Sequence, residues 1–160
     1  MGESRKKDFQ KMLDHMMNIC SRREYSRADA ATKIRAMSDV DDEEVERMLG
    51  ILIEQKYIDD FRYAAAFARD KASIAGWGVN KIRYMLSAKG ISREIIAQAL
   101  AEIDPAKAGG RLDKLMENKA RSLAGDSQIR MKLLRFGLGR GYSYDEVSSV
   151  VEQLLKSQVR

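Results

Sequence analysis

A helix stop followed at once by a helix restart occurs three times in this chain at one spacing, and any fold must accommodate that period. The middle copy runs from Lys81 to Ile103, KIRYMLSAKGISREIIAQALAEI. Gly90 supplies the stop, because glycine enters the left-handed conformation that ends helices at little steric cost. Ser92 is placed to cap the next helix, and Ile91 just before it is spaced to pack on Ile96 as a hydrophobic staple. Fifty-one residues further on, starting at Lys132, the same roles fall without a gap to Gly141, to Ser143, and to the pair Tyr142 and Val147. Fifty-one residues back they fall to Asp41 as cap and to Val40 and Val45 as staple, with Leu49 and Leu52 in the places of Leu100 and Ile103. Self-similarity at such a period is the signature of a stacked helical array.

The rest of the composition agrees with that array. One proline in 160 residues, abundant Ala, Leu, Met, Lys, Arg and Glu, and no strict alternation of apolar and polar residues predict an all-α chain. The expected architecture is three tandem three-helix repeats, 9–56, 57–103 and 104–156, in an elongated and curved array. A net charge of +5 favours an acidic partner, nucleic acid before anionic membrane. A single cysteine, Cys20, excludes an internal disulfide, and a single histidine, His15, excludes His-based triads and multi-histidine metal sites. The start, MGESRKKDF, has no apolar signal core, and apolar runs such as Tyr63 to Ala68 are too short to span a bilayer. A cytoplasmic, monomeric protein is expected.

Taken in order, residues 1–8 are polar and expected to fray. A first helix from Phe9 carries Leu13, Met16, Met17 and Cys20 at helical spacing, which makes Cys20 a small buried hydrophobe. Ser26 caps a helix through about Met37, and Asp41 opens the third with Asp42, Glu43 and Glu44 in its first turn, where carboxylates complement the helix dipole. Asp59 or Asp60 caps an alanine-rich helix, Gly76-Trp77-Gly78 breaks it, and Trp77 serves either as a lid on the local core or as a stacking platform. Asp104-Pro105 starts the next helix, which Gly109-Gly110 is expected to weaken into a joint. Gly125-Asp126 ends it and caps its successor, leaving a final pair at about 127–140 and 143–156. In the phrase GLGRG, residues 137–141, Gly141 is the stop, and Gly137 and Gly139 loosen the helix before it.

Among recognisable motifs there is no zinc pattern, phosphate-loop GK[ST], nucleophile elbow or kinase set, so no enzyme and no cofactor is expected. Charge is more informative. The middle helices and their ends carry Arg27, Lys33 and Arg35, then Lys81, Arg83 and Lys89, then Arg130, Lys132, Arg135 and Arg140, with only Asp29 against them. Stacked in register, they offer a positive stripe suited to a polymer of regularly spaced negative charge. The competing reading pairs them with the acidic third helices next door.

Four segments carry a likeness to a known family: SRREYSRAD at 21–29, KYIDDFRYAAAFARDKA at 56–72, WGVNKIRYMLSAKGI at 77–91 and LLRFGLGRGYSYDEV at 133–147. On these the chain resembles the RecX regulators of the bacterial RecA recombinase, over about 9–156. The resemblance implies three tandem three-helix repeats lodged along the groove of a RecA filament on DNA. It further implies inhibition of RecA's ATPase, strand exchange and coprotease activities without catalysis by the regulator. The chain departs from the family pattern at Ser38-Asp39, at Lys56 and at Gly137 and Gly139, where the turns are expected to differ. The candidate contact residues are the middle-helix cations together with Arg62, Arg69, Lys71 and Trp77. A helix-turn-helix-like DNA-binding module is the alternative drawn from the same helices.

Overall fold

The computed structural model describes residues 2–158, and those residues form helices joined by short turns. They are α1 (Gly2–Arg22), α2 (Arg27–Met37), α3 (Asp42–Glu54), α4 (Asp60–Ser73), α5 (Val79–Ala88), α6 (Arg93–Ala101), α7 (Pro105–Ser122), α8 (Ile129–Gly139) and α9 (Tyr144–Gln158). The starts follow local chemistry. Ser26 Oγ accepts from Asp29 N at 3.0 Å, Asp41 Oδ1 from Glu44 N at 2.8 Å, Asp59 Oδ1 from Arg62 N at 3.0 Å and Ser92 Oγ from Ile95 N at 3.3 Å. Ser143 builds a reciprocal capping box, with Glu146 N donating to its Oγ at 3.2 Å and its own N donating to Glu146 Oε1 at 3.1 Å. The stops at Gly90 and Gly141 have φ of 79° and 96°, the left-handed region expected of them.

Helices group in threes, each triple around its own hydrophobic cluster. Phe9, Leu13, Met16, Ile34, Val45, Leu49 and Leu52 build the first, which also takes in Tyr57 and Ile58. In the second, Ala64, Ala68 and Ala72 of α4 pack on Ile82, Leu86, Ile96 and Ala99; an alanine face lets α4 approach α6 closely. Leu112, Met116, Leu133, Tyr142, Val147 and Val151 form the third. Every pair of helices in substantial contact belongs to one triple, so the triples are joined through narrow junctions rather than fused into one bundle.

The middle helices meet end to end. The C-terminal end of α8 abuts the N-terminal end of α5, where Gly78 N donates to Arg140 O at 2.7 Å and Asn80 N to Gly141 O at 3.0 Å. The C-terminal end of α5 abuts the N-terminal end of α2, where a Cβ on Gly90 would stand 3.8 Å from Ala28 Cβ and Lys89 reaches Asp29. With 11, 10 and 11 residues, α8, α5 and α2 make a column. At the helical rise it is roughly 50 Å long.

Four expectations are corrected. Residues 2–8, expected to fray, continue α1 as exposed helix, and Met1 lies outside the described residues. Gly109 and Gly110 form no joint, because α7 runs unbroken through them. Asp126 is not the cap of α8, which begins at Ile129; its Oδ1 accepts instead from Gln128 N at 2.8 Å inside the preceding turn. Gly137 does not loosen its helix but makes room in it: a Cβ there would lie 2.6 Å from Val147 Cγ1, so α8 and α9 pack at this point only because the side chain is absent.

Candidate partner and nucleic-acid interface

The column determines which cations are available to a partner. Six of them are already engaged: Arg27 with Glu46, Arg35 with Asp42, Arg62 with Glu24, Lys89 with Asp29, Arg130 with Glu152 and Lys132 with Asp126. For Arg27, Arg35 and Arg130 the partner is an acid of the third helix next door, as the competing reading of the charges held. Among the described residues no carboxylate lies within ion-pair distance of Lys33, Arg69, Lys71, Lys81, Arg83, Arg135 or Arg140.

These unpaired cations are not scattered evenly. Lys33 and Arg135 occupy one position of the 51-residue period, which Tyr84 fills in the middle repeat, and Lys81 shares its position with the paired Lys132. Tyr84 is 73% exposed on α5, so its ring projects from the column between the positions of the two cations. Arg83 is exposed beside it and bonds only to Asn80 Oδ1 of its own helix, at 2.9 Å. Arg69 falls elsewhere, in the crevice between α4 and α7.

Trp77 is half-buried in the second cluster, edge-on to Phe67 with centroids 6.2 Å apart. Lys71 Nζ stands 4.8 Å and Lys81 Nζ 4.4 Å from its ring centroid. The indole thus orders two ammonium groups at the junction of α4 and α5, each cation–π contact contributing about 0.5–1 kcal/mol at such exposure. Arg140 stacks on Phe136 at 5.2 Å and donates from Nη1 to Ala75 O at 3.2 Å, which makes it a strut of the junction.

Electrostatics separate structural groups from available ones. Burial pushes the Tyr142 phenol above its ordinary value, with Glu146 adding to the rise and Arg111 and Arg140 opposing it, and its OH donates to Gly76 O at 3.1 Å. Burial likewise raises the Cys20 thiol, next to which Glu24 acts in the same direction, so the thiolate is disfavoured. The hydrogen bond from Lys132 Nζ, at 2.6 Å, holds the Asp126 carboxyl below the usual carboxylate range. Among the described residues no group of three acidic, histidine or cysteine side chains is arranged to hold a metal ion. Among the described residues no helix is long and apolar enough to cross a membrane.

Sequence reasoning missed Glu24, Lys107 and Arg111. Nothing local marks Glu24, whose partner Arg62 lies 38 residues away. Nor does anything local mark Lys107 and Arg111, which meet Arg69 only because α7 packs beside α4.

End-to-end stacking of three-helix triples, each with its own core, defines the class: an all-helical repeat protein with a basic middle column. A family model describing the second three-helix domain of RecX matches residues 59–100. Regulatory protein RecX of Clostridium tetani is 36% identical over 121 residues, covering 73% of this chain and 55% of that protein. Regulatory protein RecX of Escherichia coli strain SE11 is 28% identical over 156 residues, covering 92% of this chain and 93% of that protein. The crystal structure of RecX from Lactobacillus salivarius superposes with a TM-score of 0.83 at 24% identity, covering 93% of this chain and 97% of the other. The chain belongs to the RecX family. It spans about half the length, 55 to 57%, of the clostridial relatives it matches.

Proposed function

We propose that this chain regulates the RecA recombinase in the cytoplasm by lying along the RecA filament on DNA, as a non-catalytic monomer whose repeats are 9–56, 57–103 and 104–156. Bound there, it restrains ATP hydrolysis, strand exchange and coprotease activity. One observation carries the reading: middle helices stacked end to end present Lys33, Lys81, Arg83 and Arg135 without carboxylate partners along one column. A helical filament is periodic, so a column of repeated contacts gains avidity from each protomer it reaches. Binding one filament conformation better than another is enough to bias assembly or turnover. Exposed phosphates add a salt-dependent, sequence-independent attraction.

The helix-turn-helix alternative has less support. A recognition helix reads bases with its N-terminal residues, yet the N-terminal ends of α5 and α2 are occupied by the ends of α8 and α5.

Titration of the chain into RecA hydrolysing ATP on single-stranded DNA tests the proposal. Inhibition is expected near stoichiometric ratios at low salt, weakened at least about tenfold by Arg83→Glu with Arg135→Glu. Lys132→Glu is a poorer probe, because it also breaks the pair with Asp126. No inhibition at equimolar protein and low salt sinks the reading.

A further inference from the structure

Between the second and third triples, on α4 and α7, lies a crevice of about 300 Å³ that the filament reading does not use. Its floor is apolar, from Ala72, Ala99 and Ile103, and Arg69, Lys107 and Arg111 stand around it. None of the three has a carboxylate within ion-pair distance among the described residues. Two acids share the rim, Asp104, whose Oδ1 accepts from Ala106 N at 2.9 Å as the cap of α7, and Glu102, so the cations exceed the carboxylates by one.

The wall formed by α7 also breaks the rules of helix construction without a packing reason. Lys107 sits in the first turn, which has no acidic residue, where a carboxylate is the stabilising choice. Gly109 and Gly110, which do not line the crevice, lie inside the same helix, each costing stability relative to alanine, and a Cβ on either would meet nothing within 4 Å. Local choices that oppose the fold and are uncompensated inside it mark sites kept for something outside it.

We infer that this crevice docks an extended acidic segment of a partner protein, seating one apolar side chain on the Ala72–Ala99–Ile103 floor while Arg69, Lys107 and Arg111 hold flanking carboxylates. The match is one of charge and surface: three cations without ion-pair partners, from two triples, stand around an apolar floor. The site is distinct from the column and does not depend on filament binding.

The probe is a fluorescein-labelled synthetic peptide of glutamates around a single leucine, followed by anisotropy against the full chain. Saturable binding is expected, weakened at least about tenfold by Arg69→Glu with Arg111→Glu and unchanged by Lys81→Glu with Arg83→Glu. Gly109→Ala with Gly110→Ala, outside the crevice lining, separates docking from folding: the melting temperature rises by a few degrees while peptide affinity is unchanged. Equal affinity for an all-glutamate peptide reduces the crevice to a patch of charge and overturns the inference. So does undiminished binding to the Arg69/Arg111 variant, an absence of binding, or a short single-stranded oligonucleotide that binds more tightly and loses affinity with the same two arginines.

Discussion

The junction between the first and second triples is held through side chains, whereas the junction between the second and third adds direct backbone-to-backbone hydrogen bonds to the side-chain contacts of Arg140 and Tyr142. At the first, Arg62 Nε contacts both carboxylate oxygens of Glu24 at 2.7 and 2.9 Å, and its Nη2 donates to Lys56 O and Tyr57 O. Lys89 pairs with Asp29, and Arg27 N donates to Asp60 Oδ1 at 2.8 Å. At the second, two amides of the α5 start donate to carbonyls of the α8 end, and Gly78 and Gly141 pass so close that a Cβ on Gly78 would lie 2.5 Å from Gly141 O. Both join the same ends of equivalent helices, so the difference shows that the repeat fixes where the units meet and not what holds them. Partly exposed ion pairs are weak and screened by salt. Paired backbone amides with no room for a side chain are neither.

The largest effect should come from filling the backbone junction. A Cβ on Gly141 would stand 2.3 Å from Lys81 Cβ and 2.7 Å from Lys81 N, at a φ of 96°. Gly141→Ala should therefore cost about 3–4 kcal/mol, from overpacking and the left-handed backbone together. Gly90→Ala makes the same backbone demand at φ 79° but meets only Ala28 Cβ at 3.8 Å, and should cost about 1 kcal/mol. Urea denaturation of the two variants measures the contrast directly. Equal losses would mean that the junctions are not built differently.

Arg62→Ala comes next. It removes the Glu24 pair and two carbonyl contacts, but with 42% of its side chain and 33% of Glu24's exposed, only about 1–2 kcal/mol should be lost. That loss should shrink when the titration is repeated in high salt, whereas the cost of Gly141→Ala should not. Lys56→Gly has the opposite sign and a smaller size. Lys56 has a φ of 65°, the only described non-glycine residue in the left-handed region, directly under the Arg62 clamp. Glycine there should stabilise the chain by about 0.5–1 kcal/mol, read as a rise in the denaturation midpoint.

What the sequence reveals follows the same division. Caps, staples and stops were legible because each is settled within four residues: Ser26, Asp41, Ser92 and Ser143 all cap as their spacing predicts. The available cations were not legible, because pairing depends on which helices become neighbours. Arg27 and Arg83 look alike in the sequence, yet Arg27 is consumed by Glu46 and Arg83 is not. Trp77 was legible only as two options; it packs edge-on to Phe67, and its ring carries Lys71 and Lys81 over it. Gly137 misled because a glycine that makes room for Val147 and a glycine that loosens a helix are the same letter.

The last effect changes with alkaline pH and belongs to the junction of the second and third triples. Tyr142 spans that junction through its OH to Gly76 O, and burial raises its pKa above the ordinary value of 10.0. A group whose folded pKa exceeds its unfolded one contributes fully below the unfolded value and loses that contribution as pH rises through the folded one. Tyr142→Phe should therefore lower the melting temperature modestly at neutral pH, by the equivalent of about 1 kcal/mol for the lost hydrogen bond. As pH climbs past 10.0 the gap from the parent chain should close, because the parent then has to ionise a buried phenol that the variant lacks. Tyr63, also raised by burial but set in the second cluster, titrates in both proteins and cancels in the comparison. Melting curves that stay parallel across this range would show that the phenol does not couple the second and third triples.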